Sequence, residues 1–383
     1  MEDNTKLPLT ADASLYNGQP TDTGSSCPSA RLTSCTPSIL NNKGGVSVEN
    51  AMTNLVLKFS HIMGILKNKD LPKWLDKIIY TDFGAIFEPH PQDVVYNPDQ
   101  PYEFVKIYLG TYFPRSYAEA FCIVNNLFEN EKYLSSIYTL EEVNILDFCC
   151  GTGGEIIGLI DVLQSKLPNL RRINIDAFDA NPDAIRFLYH LMEAVVTSGN
   201  IGIEININPQ GIFVSSEQEL SDLVNLTNVQ YHFIVSFKAL NEFIQHGTFK
   251  NKNTYSLISS YFLPLLSDVG VFILSDVATK LNNSERYYPQ ILNDGINSII
   301  NSGKNEFKTL YPYSCYFNEM TCNGCYMQDV FTVSHSKKMN DVSKVAYRII
   351  CRKRFADAIV ASDFNQSCRK NNPLADKNLP YNY

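Results

Sequence analysis

The chain has 383 residues, enough to bury a sizeable core and to form about two structural units. A hydrophobic share of 44%, an aromatic share of 12% and a net charge of −8 are those of a globular protein, and they argue against a broad phosphate-binding surface. Ten cysteines are too sparse for a disulfide scaffold, and the adjacent Cys149 and Cys150 do not pair with each other without strain.

Residues 1–45 are rich in Ser, Thr, Asn, Asp, Pro and Gly and lack apolar periodicity, which predicts a disordered arm. The start, Met-Glu-Asp-Asn, carries neither a basic nor an apolar leader, and the expected compartment is the cytoplasm. Over 46–142 helical patterns dominate, at 48–67, 72–79 and 114–128. In the last of these Tyr117, Phe121, Val124, Leu127 and Phe128 share one apolar face. This region reads as an N-terminal helical cap. Its Arg115, Tyr117 and Glu119 either meet a ligand or simply open a helix behind Pro114.

From 143 onward the pattern alternates. Strands are expected at 143–148, 172–178, 201–207, 231–237 and 269–276, with helices at 155–167, 182–197, 216–226 and 252–266. Such a series predicts an α/β fold with a doubly wound, mainly parallel sheet of the seven-stranded type and right-handed crossovers. A helix at 291–300 and strands at 330–334 and 346–351 follow, the two strands suiting an antiparallel edge at the C-terminus. The apolar stretch 257–278 is broken by Pro264, Asp268 and Gly270, so it reads as helix, turn and strand, with no membrane span.

The chemistry concentrates where the first strand ends. Leu146-Asp147-Phe148-Cys149-Cys150-Gly151-Thr152-Gly153-Gly154-Glu155 leads into a helix, and the second strand ends in Asp179, 26 residues after Gly153. Small residues let backbone approach a ligand, and an acid at the second strand end accepts ribose hydroxyls. A dinucleotide fingerprint needs glycines in G-x-G-x-x-G spacing, and here Cys149 stands in the first place. An acid at Asp147 repels a pyrophosphate and suits a ligand with a positive ammonium group. A plainer reading makes Asp147 a cap of the turn and Asp179 a cap of the helix opening at Pro182.

On these residues the chain resembles the class I S-adenosylmethionine-dependent methyltransferases, several of which carry the run Cys-Cys-Gly-Thr-Gly seen at 149–153. The resemblance covers about residues 140–280. It implies a Rossmann-like methyltransferase domain, here 143–355, ahead of a flexible tail at 356–383. It also implies S-adenosyl-L-methionine as cofactor. Asp147 would order the loop, and Cys149, Gly151, Thr152 and Gly153 would pass close to the sulfonium and carboxylate. Asp179 would take the ribose hydroxyls, with Ala180 and Asn181 beside the adenosine.

The fourth strand ends in Ser236-Phe237-Lys238-Ala239-Leu240-Asn241-Glu242, and ligands of such sheets sit outside the carboxyl ends of the strands. Ser236, Asn241 and Glu242 are therefore polar candidates. Glu242 would accept a proton and Asn241 orient an acceptor, unless both merely occupy the first turn of a helix. No Asp-Pro-Pro-Tyr-like run and no Pro-Cys nucleophile follows this strand, so base methylation by those devices lacks its residues.

Cys315, Cys322 and Cys325 are spaced as thiolate ligands of a metal or iron–sulfur site would be, with Cys351, His335 or Cys368 as a fourth ligand, or they are ordinary reduced thiols. Together with Leu240-Asn241-Glu242 this segment is similar to the mitochondrial small-ribosomal-subunit-associated methyltransferase-like family, though Cys315 is followed by Tyr316-Phe317 where that family has Cys-Pro-His. The basic residues Lys337, Lys338, Lys344, Arg348, Arg352, Lys353 and Arg354 either form a phosphate-binding patch or the solvated face of a strand. The expected activity is methyl transfer to an acceptor left open among small molecule, protein and RNA, with no membrane partner. A non-catalytic scaffold and a nucleoside-cofactor oxidoreductase are the alternatives.

Overall fold

The computed structural model describes residues 66–89, 101–227, 229–302, 306–317, 325 and 327–360. The expected arm, nearly all of the helix at 48–67 and the tail beyond residue 360 lie outside them. A short helix α1 (Lys73–Lys77) runs into a π-helical turn at Ile78–Asp82, and α2 (Pro101–Thr111), α3 (Phe113–Phe128) and α4 (Glu131–Ile137) precede the sheet. The alternating core follows as β1 (Glu142–Phe148), α5 (Gly154–Lys166), β2 (Arg172–Asp179), α6 (Pro182–Thr197), β3 (Glu204–Gly211), α7 (Glu217–Asn225), β4 (Tyr231–Phe237), α8 (Leu240–Gln245), α9 (Thr254–Phe262) and β5 (Leu266–Val277). Then come α10 (Tyr288–Asn301), β6 (Phe307–Tyr311), α11 (Tyr313–Phe317), β7 (Asp329–His335), β8 (Lys338–Arg352) and α12 (Lys353–Ile359).

The strand order is β3-β2-β1-β4-β5-β8-β6, with β7 paired to β8. Strands β1 to β5 are parallel, and β8 runs antiparallel to β5, β6 and β7. The fold is thus a Rossmann-like α/β sandwich, with the order reversing between β1 and β4. Such a reversal opens a crevice at the carboxyl ends of the strands. Strand alternation sets what faces each side. Val143 and Ile145 pack with Ile156, Ile160 and Leu188 on one face, and Leu146 and Phe148 pack with Leu220, Ile258 and Phe262 on the other.

The expected antiparallel edge is present: β7 pairs with the N-terminal half of β8 as a hairpin, and the half of β8 at 345–351, buried throughout, joins the sheet antiparallel between β5 and β6. Continuous burial, not alternation, marks an interior strand. β3 is shifted to Glu204–Gly211 and tolerates Pro209, because it is an edge strand whose outer side needs no ladder bonds. The cap contains a helix, α2, that periodicity missed, because Tyr102, Phe104, Val105, Ile107 and Tyr108 read equally as strand.

Helices α3 and α5 pack unusually closely. A Cβ added at Gly154 would stand 2.5 Å from the carbonyl oxygen of Phe113, and one at Gly158 would overlap the carbonyl of Tyr117. Both obstacles are backbone, which cannot swing aside. Gly158→Ala is therefore expected to destabilise the protein by about 1–3 kcal/mol, against the gain alanine gives in an open helix. A chemical-denaturation midpoint at or above the wild-type value would refute this packing.

Candidate functional site

Three left-handed backbone positions shape the turn after β1: Cys149 at φ 65°, Gly151 at 50° and Gly153 at 80°. For cysteine that conformation costs on the order of 1 kcal/mol, so its neighbours must hold it. They do: Cys149 and Cys150 both donate their N–H groups to the carbonyl of Phe178, at 2.7 and 3.0 Å. Gly153 is the N-cap of α5 and offers no side-chain acceptor, leaving the first N–H groups of the helix to the turn. Across the turn lies Tyr108 of α2, whose ring would be 3.0 Å from a Cβ at Gly151.

Asp179 stitches this turn to β2. Its two carboxylate oxygens accept from Gly151 N and Asn181 N, both at 2.8 Å. Asn181, rather than Asp179, caps α6, accepting from Asp183 N and Ala184 N. An ionised carboxylate has about four lone-pair sites, so acceptor capacity remains for a further donor. Burial raises the Asp179 pKa, and the N–H groups of Asn181, Gly151 and Ala180 offset that rise.

Asp147 is different. It shares a strand face with Val143 and Ile145, is wholly buried, and among the described residues neither carboxylate oxygen has a hydrogen-bond partner. It therefore caps nothing. Burial, then the nearby Glu155 and Asp179, push its pKa well above the usual carboxylate range. Glu155 is buried too and is pushed up to about 8, chiefly by burial, with Glu119 and Asp179 adding and its own N–H and Lys238 opposing. A buried acid without a partner is costly and points to a missing cationic or donor group.

The end of β4 repeats the pattern of β1. Lys238 has φ 55°, another strained non-glycine residue at a strand's carboxyl end. Its N–H donates to the carbonyl of Ser275 and its Nζ reaches Glu119 Oε1 at 3.0 Å. Asp276, at the end of β5, accepts from Asn241 N at 2.8 Å, Tyr255 Oη at 2.8 Å and Val277 N at 2.7 Å. With its amide turned to donate, Asn241 Nδ2 reaches Asp276 Oδ1 at 2.8 Å and the Lys238 carbonyl at 3.1 Å. Burial raises Asp276 to about 7 against these donors. Asn241 and Glu242 do occupy the first turn of α8, but neither supplies a side-chain cap.

A cavity of about 320 Å³ opens above these ends, lined by Cys149, Gly151, Asp179, Ala180, Asn181 and Glu242 among the residues singled out by sequence. Asp147, Thr152, Gly153, Ser236 and Asn241 do not line it. Asp147 lies beneath the turn and Thr152 is buried within it, Gly153 starts the helix, and Ser236 is buried on the opposite sheet face with Oγ unpartnered among the described residues. Apolar walls come from Phe148, Phe178, Phe213 and Phe243. A second cavity of about 270 Å³ is lined by Ile107, Tyr112, Asn241 and Val277, and shares Phe104, Tyr108, Lys238 and Glu242 with the first. Sequence reasoning missed Phe104 and Tyr108 with their helix, and Asp276 and His246 because single polar residues carry no motif.

For the cap helix α3 the plainer of the two readings, an ordinary helix start, fits the contacts. Arg115 is held by Asp341 at 2.6 Å, Tyr117 donates to Asp161 at 2.5 Å, and Glu119 serves Lys238, so none of the three lines the cavities. The basic residues do not form a patch either. Arg348 is buried against Asn293 and the Tyr347 carbonyl, Arg352 binds the Leu266 carbonyl, and Arg354 pairs with Asp268. Of the cysteine triad, Cys322 lies outside the described residues. Among those described, no group of three or more His, Cys, Asp or Glu side chains is arranged to hold a metal ion. His335 faces Tyr80 and Asp341. No described helix is long and apolar enough to cross a membrane.

No family model and no curated protein matches the chain. Among solved structures it is similar to the plantazolicin methyltransferase BpumL in complex with a monoazolic desmethylPZN analog and SAH, at 14% identity and TM-score 0.36 over 79% of this chain and 99% of that one. An S-adenosylmethionine-dependent methyltransferase from Clostridium acetobutylicum matches at 12% identity and TM-score 0.30, over 62% and 91% of the two chains. Precorrin-6y C5,15-methyltransferase from Geobacter metallireducens matches at 14% and 0.27, over 58% and 87%. These likenesses are distant, and the chemistry rests on the cleft itself.

Proposed function

We propose that this protein, whose sheet has the Rossmann-like arrangement of class I S-adenosylmethionine-dependent methyltransferases, binds S-adenosylmethionine in the larger cavity and transfers its methyl group to an acceptor in the smaller one. The observation that carries the reading is Asp147, a buried carboxylate with no hydrogen-bond partner among the described residues, under a turn bent for close approach. Such an acid suits a ligand bearing an ammonium and a sulfonium, and opposes a pyrophosphate. The same charge argues against a nicotinamide dinucleotide. The remaining acceptor capacity of Asp179 fits a ribose hydroxyl, and the phenylalanine walls fit an adenine.

When bound, the cofactor supplies a methyl carbon that is already electrophilic. The chain's own residues then have three tasks. Asp179 holds the donor from the cavity wall while Asp147, beneath the turn, orders the loop that approaches it; the aromatic walls exclude water, and the junction shared by the two cavities fixes the acceptor in line. Positioning of this kind is worth up to ~7–11 kcal/mol of a barrier. Glu242 stands at that junction on an exposed position of α8, where desolvation within the cleft, then Asp179, raise its pKa against the opposing charge of His246. A carboxylate so tuned serves as a proton acceptor.

Calorimetry with S-adenosylmethionine and NAD tests the reading. S-adenosylmethionine is expected to bind with release of protons, because its positive groups favour ionised Asp147 and Glu155; the release shows as a buffer-dependent binding enthalpy. Binding of NAD in preference to S-adenosylmethionine would overturn it.

A further inference from the structure

The smaller cavity carries a chemical signature of its own. Phe104, Tyr108 and Tyr112 line one wall as successive turns of α2 and the residue after it, with ring centroids 6.3 Å apart for the first pair and 4.9 Å for the second. Opposite stand Glu242 and Asn241 at the start of α8, whose backbone is anchored by Asp276. Among the described lining residues the one cation, Lys238, is turned to Glu119, whose side chain is fully buried, so its charge is spent inside the fold. Glu119 Oε2 still lacks a hydrogen-bond partner among the described residues. Aromatic faces attract cations through their quadrupoles, and the Glu242 carboxylate beside them adds charge.

We infer that the smaller cavity takes a small aliphatic amine, bound as an ammonium between Tyr108, Tyr112 and Glu242, and that this amine nitrogen is the methyl acceptor. The acceptor assignment rests on the methyl-transfer reading; the amine site does not. The ammonium gives one proton to the Glu242 carboxylate, and the freed lone pair on nitrogen forms the new N–C bond. The electron pair of the breaking C–S bond stays on sulfur, leaving neutral S-adenosylhomocysteine. Glu242 is suited to both parts: it lies in both cavities, and Tyr108 spans the same junction. An alcohol acceptor would leave the carboxylate without a counter-charge, and a carboxylate acceptor would be repelled by it.

The test is binding of 2-phenylethylamine, 2-phenylethanol and 3-phenylpropionate to the full chain, by calorimetry, with and without saturating S-adenosylhomocysteine. The amine is expected to bind roughly ten-fold or more tightly than the alcohol, with the carboxylate weakest. Glu242→Gln and, separately, Tyr112→Leu are expected to remove most of that preference. An amine that binds no better than the alcohol, or not at all, overturns the inference, as does a preference that survives in Glu242→Gln of native-like circular dichroism. If the amine preference holds while S-adenosylhomocysteine fails to bind, the amine site stands and the methyl-transfer reading falls.

Discussion

Asp147→Asn is expected to make the ligand-free protein more resistant to denaturation at pH 8, and at the same time to weaken S-adenosylmethionine binding roughly ten- to hundred-fold. Both effects have one cause. The carboxyl is buried without a hydrogen-bond partner among the described residues, and burial with Glu155 and Asp179 nearby raises its pKa well above the ordinary 3.8. A carboxyl whose folded pKa is raised stabilises the fold below its unfolded pKa and loses that contribution as pH climbs toward the folded value. The wild type should therefore fall behind the variant by about 1–3 kcal/mol at pH 8, with the gap closing toward pH 4. Glu155, raised to about 8, and Asp276, raised to about 7, act in the same direction, so wild-type stability should decline from about pH 4 to pH 8. The binding loss follows from removing a negative charge beneath the turn that the cofactor's positive end favours, an effect of ~1.5–3 kcal/mol. Thermal melts across pH and a calorimetric titration check the pair. A variant that is no more stable at pH 8, or that binds as the wild type does, contradicts the role given to Asp147.

Asp179→Ala is expected to cost more, on the order of hundred-fold or greater in affinity for S-adenosylmethionine, because its charge-assisted bond to the ribose is lost together with its hold on the turn. The same change removes the acceptor for Gly151 N and Asn181 N, which tie the turn to the start of α6. Stability should drop by about 1–3 kcal/mol as those donors lose their partner. Asp179→Asn keeps one acceptor oxygen and should fall between the two in both measurements. Unchanged affinity in Asp179→Ala would falsify the ribose role, whatever the melting temperature does.

How much of this was legible beforehand depends on the range of the forces involved. The turn at 149–153, the acid at Asp179 and the parallel strands β1, β2 and β4 are local: an apolar run, a cluster of small residues and a helix start follow one another along the chain. The expectation of a nucleoside cleft at the ends of β1 and β2 needed nothing more. Helix α2 was not legible, since a short run of aromatic and β-branched residues has no decisive period and its place over Gly151 is set by what it packs on. With it went Phe104, Tyr108 and the existence of a second cavity.

Sequence by itself determined the fold class and the charge of the cleft, because binary patterning and the order of strand ends are written in neighbouring residues. Tertiary structure alone decided which acids are free. Asp147 and Asp179 look alike in sequence, yet one is buried with no hydrogen-bond partner among the described residues and the other accepts two backbone N–H groups. Glu119, 119 residues from Lys238, neutralises the cation that would otherwise have dominated the acceptor cavity. Asp276 anchors Asn241 from across 35 positions. Burial and long-range pairing fix these charges, and neither is visible until the chain has folded back on itself.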